Sequence, residues 1–285
     1  MNIILGATGQ VGSMLADRLL VKGQPVRAVV RDGSRAQELK SRGAEIVVAD
    51  YFDMEAMNRA FQGGSSAFLL TPENPASGDV LGDARRMIDN YREAVRSSGV
   101  TKIVGLSSMG AQLGPGSGNL MASHMLEHAF AGLEVEQVFI RPAYYYSNWL
   151  GYLELAREHG MLPTFFPPGL KLPMVAPPDV AEFLAEVLIR KAPQQRVFEI
   201  TGPRPYSSAD IAQVFGHVLG REVNATQILP QDWESTLLQA GFSKDAAKNL
   251  MLMTQMVVDG KTGCETPNPV RLPTDFESYL KKSIG

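Results

Sequence analysis

The sequence predicts an α/β protein built on a doubly wound parallel sheet, followed by a smaller α+β lobe. Three observations predict it. Short apolar runs recur along residues 2–140, amphipathic stretches of helical period lie between them, and a glycine-spaced turn joins the first run to the first such stretch. Runs that are apolar throughout suit strands buried on both faces. Strand and helix in alternation give a parallel sheet covered by helices.

Asn2–Leu5 is the first run, and a helix over residues 11–21 follows, with Val11, Leu15, Leu19 and Leu20 at helical spacing and a stop at Gly23. Val26–Val30 and residues 46–49 are the next two strands. Asp53 is a candidate N-cap for a helix over Met54–Phe61, which stops at Gly63-Gly64. Residues 67–70 form the fourth strand, and residues 83–98 a helix ending at Gly99, a C′ position. Strands over 103–106 and 138–140 flank a helix over 119–130. Composition shifts after about residue 143. Six prolines between residues 163 and 178 exclude a regular helix there and predict an ordered connecting loop or lid. Helices over 179–189 and Ser208–Leu219, strands over 197–200 and 223–228, and helices over 232–240 and Lys244–Val258 complete the pattern.

Composition narrows the function. The 285 residues are 45% hydrophobic and 20% charged, enough for a sizeable core. Lys and Arg total 27 against 30 Asp and Glu, so there is no basic excess of the kind that binds phosphate backbones, and no nucleic-acid partner is expected. The single cysteine, Cys264, fits a reducing compartment and removes disulfide scaffolds and cysteine-based metal sites. No His, Asp or Glu pair has convincing metal spacing, so no metal is expected. With no apolar run near the ~20 residues of a membrane span and no export-signal pattern at Met1, the expectation is a cytoplasmic protein without a membrane partner.

Gly6-Ala7-Thr8-Gly9-Gln10-Val11-Gly12 follows the first strand and opens the first helix. This spacing is a variant of the dinucleotide fingerprint. Its glycines let the backbone turn tightly near a pyrophosphate, whose charge meets the free N–H groups and positive dipole end of the helix. The fold expectation is therefore a Rossmann domain over residues 1–150 and a smaller substrate-binding lobe over 151–285, with a boundary that lets both halves feed the sheet. Arg31 stands nineteen residues past Gly12, where an acidic residue would bond the ribose of NAD and an arginine accommodates the 2′-phosphate of NADP. Arg35 is close enough to help. NADP(H) is expected in preference to NAD(H), although Asp32 would become a ribose ligand if the strand ended one residue later.

These residues, together with Ala49-Asp50 and Tyr51, Leu70-Thr71-Pro72, Leu106-Ser107-Ser108, Ile140-Arg141-Pro142, Asn148 and Ile200-Thr201-Gly202-Pro203, occur in an order that resembles the NmrA-like atypical short-chain dehydrogenases. The resemblance is to the bacterial branch with NADP-dependent quinone oxidoreductase and triphenylmethane reductase, and runs from residue 2 to about 260. It implies that Thr8, Gln10 and Val11 line the pyrophosphate loop and that Arg31 holds the 2′-phosphate. It further implies that Leu70, Thr71 and Pro72 pack near the adenosine-side ribose and the pyrophosphate. Ser107 would approach the nicotinamide ribose, and Pro142, Ala143, Tyr144 and Tyr145 would border the nicotinamide and the substrate mouth. The sequence departs from typical dehydrogenases in one respect. None of its eight tyrosines is followed four residues on by lysine, so the pair in which lysine lowers the tyrosine pKa is missing. Sugar epimerisation and secondary-alcohol oxidation are accordingly not expected.

His124, in the helix over 119–130, is a candidate proton donor or ribose ligand because histidine side chains in general change charge near neutral pH. The alternative is a helix histidine satisfied by Glu127 or the backbone. Eight of the chain's 22 aromatics fall within residues 139–166: Phe139, Tyr144, Tyr145, Tyr146, Trp149, Tyr152, Phe165 and Phe166. Walls of flat rings favour a small planar substrate such as a quinone or dye. Tyr145 is the residue expected to stack on it, with Trp149 and the Phe165-Phe166 loop closing over. The function expected is NADPH-dependent reduction of a conjugated acceptor. The alternative is a catalytically inactive NADP(H) sensor of the NmrA type, and a homodimer is left open as the assembly.

Overall fold

The computed structural model describes residues 1–190 and 195–285. Its strands are β1 (Asn2–Leu5), β2 (Val26–Val30), β3 (Glu45–Val48), β4 (Ser66–Leu69), β5 (Lys102–Leu106), β6 (Glu136–Pro142), β7 (Tyr144–Tyr145), β8 (Met161–Thr164), β9 (Met174–Val175), β10 (Val197–Thr201), β11 (Asn224–Gln227) and β12 (Val270–Arg271). Eight of these make one sheet in the order β12-β10-β6-β5-β4-β1-β2-β3, every pairing parallel. The chain runs outward from β1 in one direction to β3 and in the other from β4 to β12. The crevice between the C-terminal ends of β1 and β4 is thus the topological switch point, where open α/β sheets bind ligands. Two strands of the sheet, β10 and β12, come from the second half of the chain.

The helices are α1 (Gln10–Val21), α2 (Gln37–Ser41), α3 (Met54–Phe61), α4 (Val80–Ser97), α5 (Leu120–His128), α6 (Leu153–His159), α7 (Pro177–Ile189), α8 (Ser208–Leu219), α9 (Trp233–Gln239), α10 (Lys244–Val258) and α11 (Phe276–Ile284). One face of the sheet, with Ile4, Ala28, Val104 and Ile140, packs on Leu15 and Leu19 of α1 and Val180 and Leu184 of α7. The other, with Ile3, Leu5, Ala67 and Ile103, packs on Met57 and Phe61 of α3, Ile88 and Tyr91 of α4 and Leu126 of α5. β1 is buried along its whole length, as an apolar run without alternation requires. A third core, around Tyr146, Trp149, Leu162, Tyr206, Phe215 and Phe276, holds the second lobe together. No helix among the described residues is long and apolar enough to cross a membrane.

Several elements start where local chemistry places them rather than where periodicity suggested. Asp79 accepts from the Gly82 amide at 2.9 Å, so α4 begins three residues before the expected position. Pro177 and Pro178 occupy the first turn of α7, where a missing N–H costs nothing, so that helix begins inside the proline-rich stretch. The rest of that stretch is not a bare loop. It holds the end of β8, paired with β11, and β9, paired with β7. α6 and α11 were not expected. Both are short, and α11 is started by Asp275, which accepts from the Ser278 amide at 2.7 Å.

Candidate active site

The turn of residues 6–12 carries β1 into α1 across the switch point. Gly6 has φ +61°, and Leu70 at the end of β4 packs against it. A Cβ on Gly12 would lie 2.2 Å from the Gly6 carbonyl oxygen, so only glycine lets α1 sit this close to the turn. Ala7 and Val11 point into the core, and Gly9 and Gln10 are exposed. The Gly6 amide donates to the Tyr51 hydroxyl at 2.7 Å, which ties the turn to the end of β3. Burial raises the Tyr51 pKa, against the opposing effects of that bond and of nearby Arg31.

Helix α1 has no side-chain N-cap, as α2, α5, α6, α7 and α9 have none, whereas the other five helices do. Asp53, Asp79, Ser207, Ser243 and Asp275 cap α3, α4, α8, α10 and α11 with side-chain oxygens. The N-cap of α1 is Gly9, with no side-chain acceptor and no acidic residue in the first turn. Its first amides and positive dipole end therefore face the crevice without an internal anion, which fits a phosphate group.

Arg31 lies exposed just beyond β2 and makes no ion pair among the described residues. Asp32 is engaged: its Oδ1 accepts from the Ser34 amide at 2.9 Å, starting the 3-10 turn Gly33–Ala36. Hydrogen bonds with Ser34 hold its carboxyl below the usual range. Arg31, Asp50, Tyr51, Thr71, Pro72 and Glu73 line a cavity of about 120 Å³ at the ends of β2, β3 and β4.

Beyond it lies a larger cavity of about 450 Å³, into which Leu70, Thr71, Ser107, Pro142, Ala143, Tyr144 and Tyr145 converge. Six of the eight clustered aromatics line it: Tyr144, Tyr145, Trp149, Tyr152, Phe165 and Phe166. Phe139 and Tyr146 instead belong to the cores. Trp149 is buried and fixed by an Nε1–H bond to the Met174 sulfur at 3.4 Å, so it forms wall and does not close over the cavity. Tyr144 packs edge-on against Phe166 with centroids 5.6 Å apart. The Tyr145 hydroxyl is buried without a hydrogen-bond partner among the described residues, and burial pushes its pKa well above the ordinary tyrosine range.

Ser107 Oγ donates to Glu127 Oε1 at 2.5 Å, and Arg141 grips the same carboxylate through Nε at 2.8 Å and Nη2 at 2.7 Å. Burial disfavours the Arg141 charge, but its bonds to Glu127 and Glu265 outweigh that and raise its pKa. With its proton committed to Glu127, Ser107 presents lone pairs to the cavity and can accept from a ligand hydroxyl or amide.

His124 is not brought to this cavity. Its Nδ1 lies 2.9 Å from the Ala111 carbonyl oxygen, and its ring stacks on His128 with centroids 4.2 Å apart. Both rings face a separate groove with Gln112, Arg141 and Arg196. The placement is that of the alternative weighed for it, a histidine satisfied by the backbone. Sequence reasoning missed Glu73 and Asn119, which line both the smaller and the larger cavity. The signal for Glu73 was its place directly after the expected strand-end residues.

The model of the NmrA-like family matches residues 2–280. The chain belongs to the NmrA-like family. Among relatives, it is 25% identical over 252 residues to an NAD(P)H azoreductase of Xenophilus azovorans, covering 87% of this chain and 84% of that one. Among solved structures, it superposes on the Escherichia coli NADPH-dependent quinone oxidoreductase complexed with NADPH with a TM-score of 0.79, at 24% identity and with 100% of each chain covered. On the Citrobacter sp. triphenylmethane reductase complexed with NADP(H) the TM-score is 0.83, at 21% identity and again with 100% of each chain covered. The family's fold is thus present over essentially the whole chain. The uncapped α1, the Gly12 contact and the free Arg31 are features of this chain itself that suit a dinucleotide phosphate.

Proposed function

We propose that this NmrA-like protein is an NAD(P)H-dependent reductase that prefers NADPH and reduces a flat conjugated acceptor, a quinone or related dye. The observation that carries this reading is the aromatic-walled cavity of about 450 Å³ beside the switch-point crevice. The names of its relatives, an azoreductase, a quinone oxidoreductase and a triphenylmethane reductase, support the same class of chemistry.

In this reading the first amides of α1 bind the pyrophosphate, Arg31 binds the 2′-phosphate, and residues 70–72 hold the adenosine side. Ser107 and residues 142–144 would position the nicotinamide end. The bound dihydronicotinamide supplies a hydride. Tyr145 orients the acceptor by stacking, while Trp149 and Phe166 keep water from its face. Conjugated acceptors form stabilised anions on accepting a hydride, so a tyrosine activated by lysine is not required. Residues 1–150 would supply the nucleotide site and residues 151–285 most of the far wall.

The test is a screen of NADPH oxidation against quinones, azo dyes, triphenylmethane dyes and enones. Turnover of at least one class is expected. Tight NADPH binding with no turnover of any of them refutes the reductase and leaves the NADP(H) sensor.

A further inference from the structure

In a cavity walled by apolar and aromatic groups, Glu73 is the single carboxyl among the described lining residues. It sits where the larger cavity meets the smaller one, and lines both. Asn119 Nδ2 donates to Glu73 Oε2 at 3.0 Å, which fixes the carboxyl at this junction. Asn119 is itself buried and lines both cavities, and its Oδ1 has no hydrogen-bond partner among the described residues. The pair therefore offers an unmet acceptor and an unshared carboxyl oxygen in a mostly apolar wall that has no other carboxyl among its described residues, next to the site proposed for the acceptor.

Among the described residues no cation forms an ion pair with Glu73. Tyr144, Tyr145 and Tyr152 face the larger cavity, and burial raises the pKa of each. Arg31, Asp50, Tyr51 and Asp83 line the smaller one. The cavity-lining residues of α10, from Leu250 to Val257, carry no charge. Asp245, at the start of that helix, is occupied by the Val80 amide at 2.8 Å. Burial raises the Glu73 pKa, against the opposing effect of its bond with Asn119. Glu73 is nevertheless an exposed residue by its accessible surface, so its proton can be replaced from solvent.

We propose that Glu73 is the proton donor to the acceptor, held in place by Asn119. The proposal rests on the reductase reading above. A hydride from the dihydronicotinamide turns a quinone into a hydroquinone monoanion. The Glu73 O–H bond then breaks, an O–H bond forms on the anionic oxygen, and the Glu73 carboxylate regains a proton from bulk water. One hydride and one proton are consumed per hydroquinone formed.

The experiment compares wild type with Glu73→Gln and Glu73→Asp, using NADPH and menadione as probes. In wild type, kcat/KM is expected to be flat at low pH and to fall as pH rises through the Glu73 pKa, because only the protonated acid donates. Glu73→Gln is expected to lose about 100-fold in rate and to lose that pH dependence. Its NADPH Kd should stay within about twofold of wild type, and its melting temperature should not fall. Glu73→Asp should restore part of the rate together with the fall at high pH. In pH-difference infrared spectra of the NADP-bound protein without acceptor, a protonated-carboxyl band should titrate in wild type and be missing from Glu73→Gln. Wild-type rate and pH profile in Glu73→Gln overturn the donor role. So does a weakened NADPH Kd with unchanged rate at saturation, which would make the pair a cofactor ligand instead. Failure of the reductase reading looks different: the wild type then turns over no acceptor, and the donor role falls with it.

Discussion

Removing the Arg31 guanidinium separates NADPH recognition from dinucleotide recognition in general. The side chain leaves the end of β2 with no ion pair among the described residues, and Asp32 beside it has its Oδ1 occupied by the Ser34 amide. The positive charge is therefore available to a ligand and is not spent on the protein. A hydrogen bond to a charged group is worth about 1.5–3 kcal/mol. Because Arg31 is exposed, screening by solvent and salt places the effect toward the lower figure. At 1.4 kcal/mol per factor of ten, Arg31→Ala should weaken NADPH binding about tenfold. NADH lacks the phosphate and should bind the variant as it binds wild type. Titrating protein fluorescence with both nucleotides gives both constants, and repeating the NADPH titration at high salt should shrink the difference. An unchanged NADPH to NADH ratio in Arg31→Ala refutes the assignment of the 2′-phosphate to Arg31. Equal losses for both nucleotides would show instead that Arg31 supports the turn or the adenosine pocket.

Tyr145→Ala should raise the acceptor KM severalfold while leaving NADPH affinity intact, since one aromatic contact is worth about 0.5–1.5 kcal/mol; steady-state kinetics beside a melting curve tests it. Tyr145→Phe removes a buried hydroxyl that has no partner among the described residues, so its melting temperature should equal or exceed that of wild type. Glu127→Gln breaks a buried, doubly bonded carboxylate–guanidinium pair and should cost about 3–5 kcal/mol, a large drop in melting temperature with or without ligand. Asp210 closes the capping box of α8 with Ser207; burial opposes its ionisation, but its bonds with Ser207 outweigh this and lower its pKa. A carboxyl with a depressed folded pKa stabilises the fold above its unfolded pKa and loses that contribution as pH falls through the folded one. Melting temperatures of wild type and Asp210→Asn should therefore differ at neutral pH and converge in acid.

The sheet was legible because strands buried on both faces have to be written as unbroken apolar runs. β1 and β2 were found to the residue for this reason, as was α3, whose N-cap Asp53 marks its own start. The second lobe was less legible. Its strands β7 and β9, like β12 at the edge of the main sheet, are two residues each, too short to carry a period, and β8 was hidden by the prolines around it. Proline read as a breaker is correct inside a helix and wrong at its first turn, which is where Pro177 and Pro178 stand.

The site divides along the same physical line. Residues 6–12 could be read directly because glycine spacing reports close approach, whereas Leu70, Ser107 and Pro142 were named through the family resemblance and stand where strand ends border the larger cavity. Side-chain roles that depend on which way a helix is rotated could not be read so. His124 and Glu127 are three residues apart on α5 and line the same groove, where Glu127 holds Ser107 and Arg141 and His124 stacks on His128. The residues that α5 turns to the large cavity are Leu120, Ala122 and Ser123, so His124 is left at the groove. Proton supply to that cavity then falls to a group on a strand-end loop, whose position is set by the sheet and not by helix rotation. Among the described carboxyls, Glu73 alone has that position, three residues beyond the anchor Leu70.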